Sequence, residues 1–456
     1  MTWDAIVIGS GFGAAMAAHA LVHGGRRVLM LERGGTVGEC TGERSVFCDD
    51  ALFRFRHADF ESNPHIVGTS GAAWPFNYDE LEPSYVRVEQ LLGVVAEHHA
   101  DPTEPPHGAS FPRALGALAP SSQTIVDAAT RLGLHPSRIP RAQSFMIPSL
   151  MAAGMMLKVN TVCVRLLHRG TRVTGVAYVD SVTGARGTLE SRTVILATGT
   201  LATPQLLLVS HLDRVNPATD AVGRYLTRQC NTAVFGMFTR PLDSARAFDT
   251  PVAIHDFVHG AADCDAPQGP LGGLQQLRVS SGLARAALPA ILSGLASALL
   301  PRAVGLLAVA EVQPKLDNGV DINWRDCDQF GLPRLVVRHR YSARDRAANR
   351  FLVDKAKAIL RDAGAFGTWG RPINTFWHAQ GTVRMGVDER SAPLDRWGRY
   401  RGMDNLFVTD GSALPSSAGL NPNLTIAANA LRIGAHIAAN AFPAARTRGR
   451  HLPVHI

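Results

Sequence analysis

Two residues in the C-terminal third have the types and neighbours that proton chemistry needs. His378 stands in Trp377-His378-Ala379-Gln380-Gly381-Thr382-Val383-Arg384-Met385-Gly386, an irregular segment punctuated by glycine. Asn421 opens Asn421-Pro422-Asn423-Leu424-Thr425. A neutral imidazole, with a reference pKa of about 6.5, can take a proton near neutral pH. A carboxamide can donate a hydrogen bond to an oxygen as it gains negative charge. The chain has 17 His, so residue type alone singles out none of them; His378 stands out for its company. Asn421 before a proline equally suits a helix N-cap with Pro422 at the first helical position, and the sequence leaves both readings open.

A second group of residues suits a phosphate-bearing ligand. Gly9-Ser10-Gly11-Phe12-Gly13-Ala14 is a G-x-G-x-x-A turn between an apolar run, Ala5-Ile6-Val7-Ile8, and a helical stretch from Gly13 to Val22. Gly9 permits the tight turn, Gly11 lets the backbone approach a pyrophosphate, and Ala14 is small enough for close helix–strand packing. The helix start then supplies unpaired N–H groups and the positive end of its dipole. Glu32 follows the next apolar run, Arg27-Val28-Leu29-Met30-Leu31, where a carboxylate can accept ribose hydroxyls. A further buried run, Val194-Ile195-Leu196-Ala197, ends in Thr198-Gly199, which suits either a second close approach to a nucleotide or an ordinary core turn. Asp410-Gly411-Ser412-Ala413-Leu414-Pro415 precedes the Asn421 segment.

Elements must hold these residues in place. The N-terminus reads as a βαβ opening with continuous apolar strands, the pattern of a parallel sheet covered on both faces. Strands are expected at Val162–Leu167, Arg172–Val179 and Thr193–Ala197, the first two as a hairpin, and at Ala303–Val312. Helices are expected at Asp79–Leu92, Ser122–Leu132 and Ala343 to about Ala363, the last opened by a Ser342/Asp345 capping box and stopped by Gly364. From Asn405 to Asn440 the pattern is a short strand, a turn and a long Ala-rich helix.

The four motifs together resemble the glucose–methanol–choline family of flavin oxidoreductases. An H-x-x-G-T-x-R-M-G stretch paired with D-G-S-x-x-P and N-P-x-x-T carries the resemblance, with weaker likeness at Trp74-Pro75-Phe76-Asn77-Tyr78-Asp79-Glu80-Leu81. It implies an α/β chain: an FAD-binding, Rossmann-like domain with a parallel sheet, and a mixed α+β substrate-binding domain with an antiparallel sheet. The implied division gives 1–35, 156–230 and 375–445 to FAD, 36–155 and 231–374 to substrate, and 446–456 to a basic tail. The resemblance implies that Gly9, Gly11 and Glu32 hold the ADP half of FAD, flanked by Ser10, Phe12, Gly13 and Arg33. Cys163 falls where relatives place a residue against the adenine, and Thr198 and Gly199 approach the cofactor. Asp410 and Gly411 would meet its ribityl–pyrophosphate portion, and Pro422 with Thr425 would border the isoalloxazine. His378 and Asn421 would form a pair over flavin N5. The implied reaction is oxidation of a CH–OH group to a carbonyl, the proton going to His378 and the hydride to N5 while Asn421 holds the oxygen. The same fold also serves lyases and decarboxylases, and a flavin-binding chain without redox activity is a further alternative. The chain departs from the family between Cys40 and Asp50, which lacks the usual double glycine and gains charge.

Composition sets outer limits. In 456 residues, apolar types make up 46% and charged types 18%, which excludes disorder. The net charge of +8 is scattered, and its densest groups, Arg338 to Arg350 and Arg446, Arg448 and Arg450, form no stripe, so no nucleic-acid partner is expected. Six Cys lack metal-ligand spacing and read as free thiols, so no metal is expected. The greasiest stretch, Ala286 to Leu300, is broken by Pro289 and is shorter than the roughly 20 residues a bilayer needs. The expectation is a cytoplasmic protein with no membrane partner, a monomer or homodimer. It would take a small-molecule alcohol and pass electrons to oxygen or another acceptor.

Overall fold

The computed structural model describes residues 2–35, 51–97, 100–105, 116–142, 146–242, 251–277 and 299–442. The Cys40–Asp50 loop, all but the end of the Ala286–Leu300 stretch and the Arg446–Arg450 tail lie outside them. In chain order the elements are β1 (Trp3–Ile8), α1 (Phe12–His23), β2 (Val28–Leu31), α2 (Pro64–Val67), α3 (Tyr78–Leu92), α4 (Pro120–Arg131), β3 (Pro136–Arg138), α5 (Met146–Ala152), β4 (Met156–Lys158), β5 (Thr161–Arg169), β6 (Arg172–Asp180) and β7 (Arg186–Leu196). Then follow α6 (Ala202–Val209), β8 (Cys230–Met237), β9 (Val252–Ile254), β10 (Gly272–Leu277), β11 (Ala303–Ala310), β12 (Gly319–Cys327), β13 (Pro333–Arg338), α7 (Ala343–Asp362), β14 (Gly367–Ile373), β15 (Leu406–Val408) and α8 (Asn423–Asn440).

The first sheet is parallel at its centre, in the order β4-β2-β1-β7, with β15 also paired to β7. β2 and the last four residues of β1 are buried. On one side lie α1 and α8, whose small residues let them meet closely. A Cβ on Gly434 of α8 would come within 2.9 Å of the Ala17 carbonyl and the Ala20 methyl of α1. β7 is longer than its apolar run suggests. Its second half, from Ser191, runs in the parallel core, and its first half pairs antiparallel with β6 in the expected β5–β6 hairpin layer.

The second sheet is antiparallel throughout, in the order β14-β8-β11-β10-β9-β3. Alternation along its strands gives it two faces. Val234, Leu274, Leu306 and Ala308 pack on α4 and on the α7 stripe Ala348, Leu352, Ala356 and Ile359. Ala233, Phe235, Leu277, Leu307 and Val309 point the other way, toward Trp369, Ile373 and Trp377. α7 opens with the expected capping box: Ser342 Oγ accepts from Asp345 N, and Asp345 accepts from Ser342 N. The α/β expectation, a parallel-centred sheet plus an antiparallel one, is met. Among the described residues no helix is long and apolar enough to cross a membrane.

Candidate functional site

The glycine turn after β1 is built for close approach. Gly9 has φ +105°, and a Cβ there would lie 2.2 Å from the Ala197 carbonyl oxygen. A Cβ on Gly13 would lie 2.0 Å from the Thr409 carbonyl oxygen. These two glycines seat the turn against the ends of β7 and β15. Gly11 differs: nothing stands within 4 Å of its would-be Cβ, and it caps α1 without any side-chain hydrogen bond. The first-turn N–H groups of α1 therefore have no side-chain cap beside an open approach, the arrangement that suits a diphosphate. At the end of β2 the Glu32 carboxylate is half-buried; it accepts from Ser10 Oγ at 2.5 Å and from Gly34 N at 2.7 Å. Thr161 N donates to the Glu32 carbonyl, which brings the start of β5, and buried Cys163, to the same edge. Phe12 is half-buried on α1 and Arg33 is exposed.

Asp410, Thr198 and Gly199 come together at the same, C-terminal, end of β7. The buried Asp410 carboxylate accepts four hydrogen bonds, from Gly199 N, Thr203 Oγ1, Ser412 N and Ser412 Oγ. Burial nonetheless pushes its pKa above the usual carboxylate range. That side chain is spent on tying the β7–α6 turn to the Gly411–Ala413 turn. Thr425 is equally committed, its hydroxyl lying 2.7 Å from Tyr85 OH.

The His378 segment owes its spelling to packing. It zips onto the Gly411–Ala413 turn through Gly381 N to Gly411 O, Val383 N to Ser412 O and Met385 N to Ala413 O. Gly381 has φ +89°, with the Tyr225 carbonyl 2.8 Å from a would-be Cβ. Thr382 Oγ1 donates to Thr200 O. Arg384 is buried, donates to Ser70 O and Ser391 O, and lies over the Tyr225 ring.

His378 and Asn421 converge. Asn421 Nδ2 lies 3.3 Å from His378 Nε2, and both residues are buried. Burial alone lowers the His378 pKa to about 4, so the ring is neutral at physiological pH. Asn421 does not cap α8. The helix starts at Asn423 with Pro422 as its flanking residue, and the Asn421 side chain is turned inward instead. Two glutamines complete the cluster, and no motif in the sequence announced them. Gln229, just before β8, places Oε1 2.7 Å from His378 Nδ1 and donates through Nε2 to Leu420 O at 2.6 Å. Gln275, on β10, donates to Asn421 Oδ1 at 2.5 Å, and its own buried Oε1 has no hydrogen-bond partner among the described residues. β10 pairs Gln275 with Leu307 of β11, which sets it on the Phe235–Val309 face. A polar strip thus lies at the edge of an apolar wall.

Comparisons with known proteins agree with this architecture. Residues 135–230 and 314–430 each match a family profile described as GMC oxidoreductase. A paromamine 6'-oxidase from Streptomyces fradiae is 25% identical, over 94% of this chain and 90% of its own length. A 6'''-hydroxyparomomycin C oxidase from Streptomyces lividus is 28% identical, over 96% and 92%. A 2-methyl-1,2-propanediol dehydrogenase from Mycolicibacterium austroafricanum is 25% identical, over 84% and 78%. Among solved structures, pyridoxine 4-oxidase from Mesorbium loti superposes with a TM-score of 0.67 at 16% identity, covering 95% of this chain and 99% of that one. A formate oxidase superposes at 0.68 with 13% identity, covering 96% and 98%.

Proposed function

Since this chain belongs to the GMC oxidoreductase family, we propose that it is an FAD-dependent oxidoreductase that converts a CH–OH group to a carbonyl, with His378 as the base and Asn421 as the oxygen-holding donor. The observation that carries this reading is the 3.3 Å meeting of a neutral imidazole and a carboxamide, both buried, from segments 43 residues apart. A hydroxyl is both donor and acceptor. Placed about 2.8 Å from Nε2 and Nδ2 together, it gives its proton to the ring and accepts from the amide. His378 Nε2 then takes the hydroxyl proton, and Asn421 Nδ2 stabilises the oxygen as charge develops, which favours the transition state over the neutral alcohol. FAD, when bound, supplies the two-electron acceptor chemistry.

The residues present fit FAD. The Gly9–Gly13 turn and the open start of α1 suit its diphosphate, and Glu32 with Ser10 suits the ribose. The backbone around Thr198, Gly199, Asp410 and Gly411 would frame its middle portion, and Pro422 would border its ring end. On this reading 1–35, 156–230 and 375–445 form the cofactor domain, because β1, β2, β4, β7, β15, α1 and α8 come from those segments. The antiparallel sheet, drawn from 36–155 and 231–374, supplies the substrate wall.

Gln275 Oε1, unpartnered among the described residues, favours a substrate with a second donor group, a polyol or an amino alcohol, since a buried acceptor left bare costs about 1–3 kcal/mol. Relatives named for paromamine and for 2-methyl-1,2-propanediol have such substrates. The test is anaerobic titration of the purified, FAD-loaded protein with paromamine, 2-methyl-1,2-propanediol, a simple sugar, benzyl alcohol and a sterol. Bleaching of the oxidised flavin band by the donor-rich alcohols is expected. A protein that takes up no FAD, or a flavin band that no alcohol bleaches, contradicts the proposal.

A further inference from the structure

We propose that Gln229 is a positioning residue for proton transfer, its carboxamide oxygen holding His378 in the one tautomer whose bare Nε2 faces Asn421. This rests on His378 being the base. Leu420 O can only accept, so the Gln229 atom 2.6 Å away is the NH2 group. The atom facing the imidazole at 2.7 Å is then the Gln229 oxygen, which also can only accept. His378 Nδ1 must therefore carry the hydrogen, and in a neutral ring Nε2 carries the lone pair.

The rest of the cluster follows in the same direction. A bare Nε2 requires a donor opposite it, so Asn421 presents its NH2 there and its oxygen to Gln275, which presents its own NH2 in turn. Every bond runs one way, from Gln275 through Asn421, His378 and Gln229 to Leu420 O. Reversing any amide would set oxygen against oxygen or N–H against N–H. Gln229 is itself held rigidly: it is buried, and Tyr341 OH donates to its backbone carbonyl at 3.0 Å. Without the Gln229 oxygen both tautomers become accessible, and the form with hydrogen on Nε2 cannot accept a proton from substrate. Behind metal-ligating imidazoles, groups that fix tautomer and ring orientation in this way are worth about 10- to 100-fold, and an effect of the same order is expected here.

The test uses the FAD-loaded full chain and the alcohol from the panel above that reduces it fastest, followed anaerobically as a function of pH. Gln229→Leu removes the acceptor and should slow flavin reduction by roughly 10- to 100-fold. Gln229→Glu keeps an acceptor and adds a negative charge beside the ring, so the acid limb of the rate profile should move up by about one pH unit or more. A role in packing alone would change stability or FAD content and leave that limb in place. Wild-type rates in Gln229→Leu, or an unmoved limb in Gln229→Glu, overturn the proposal provided His378→Ala is slow. A fast His378→Ala overturns the base assignment itself. Should Gln229→Leu yield no flavin-loaded protein, the Gln229→Glu limb decides alone.

Discussion

At the scale of single residues the chain tolerates ionisable groups in places where water does not reach them. Glu311, at the end of β11, is buried with Oε2 unpartnered among the described residues, and Asp59 stands close enough to repel it. Burial is the first cause and that repulsion the second, and together they hold Glu311 protonated far above the usual carboxylate range. Between the unfolded pKa and the raised folded one, the folded chain keeps a proton that the unfolded chain gives up. Stability from this group is therefore full at low pH and lost as pH rises. Glu311→Gln should be more stable than wild type by roughly 1–3 kcal/mol near pH 8, with the gain vanishing near pH 4.5. Chemical denaturation at the two pH values checks this, and an equal difference at both contradicts it. His378 has the opposite sign. Its lowered pKa makes it destabilising as pH falls from about 6.5 to about 4, where the unfolded chain binds the proton first.

Residue types legible in the sequence were those that sit in turns with special backbone or in paired motifs. Gly9, Glu32, His378 and Asn421 all belong to such segments. Gln229 and Gln275 left no trace because a polar residue beside or within a strand announces nothing until pairing shows which face it occupies. Asn421 was legible as a residue of interest but ambiguous in role, since the same Asn-Pro spelling serves an N-cap; only the inward rotation of its side chain separates the two.

At the scale of elements, glycines that share one motif do different jobs. Gly13 has no room for a methyl group because backbone of the β15 end stands 2.0 Å from it, whereas Gly11 has open space and an ordinary φ of −72°. Gly13→Ala must push two elements apart and should lower the melting temperature clearly. Gly11→Ala should keep the apo fold within about 1 kcal/mol of wild type while weakening FAD binding about tenfold or more. Thermal melts with FAD content measured on the same samples check the pair; a Gly11→Ala protein that retains full FAD contradicts the assignment of that approach to the diphosphate. Element boundaries were legible wherever local chemistry closed them, as in the capping box of α7 and the continuous apolar run of β1. β7 was read short because its first half alternates and pairs antiparallel while its second half is apolar on both faces, so one strand carries two patterns.

At the scale of the molecule, the chain visits its parallel sheet three times and leaves twice, and the working cluster lies where those visits meet. Gln229 stands at the exit into the antiparallel sheet, Gln275 within that sheet, His378 at the return from it and Asn421 before the last helix. The parallel sheet was legible from the βαβ opening, whereas the antiparallel second sheet was expected from the family resemblance and not from strand patterns. The meeting of four side chains was not, because it depends on the pairing of β10 with β11 and on the path of the loops after β14 and β15. The central claim is that His378 and Asn421 act together on an alcohol, and the rate of anaerobic flavin reduction tests it most directly. With wild type, His378→Ala and Asn421→Ala all loaded with FAD, the rate should fall roughly 10²–10⁴-fold without the imidazole and roughly 10²–10³-fold without the carboxamide. Reduction of the His378→Ala protein at the wild-type rate would contradict the account.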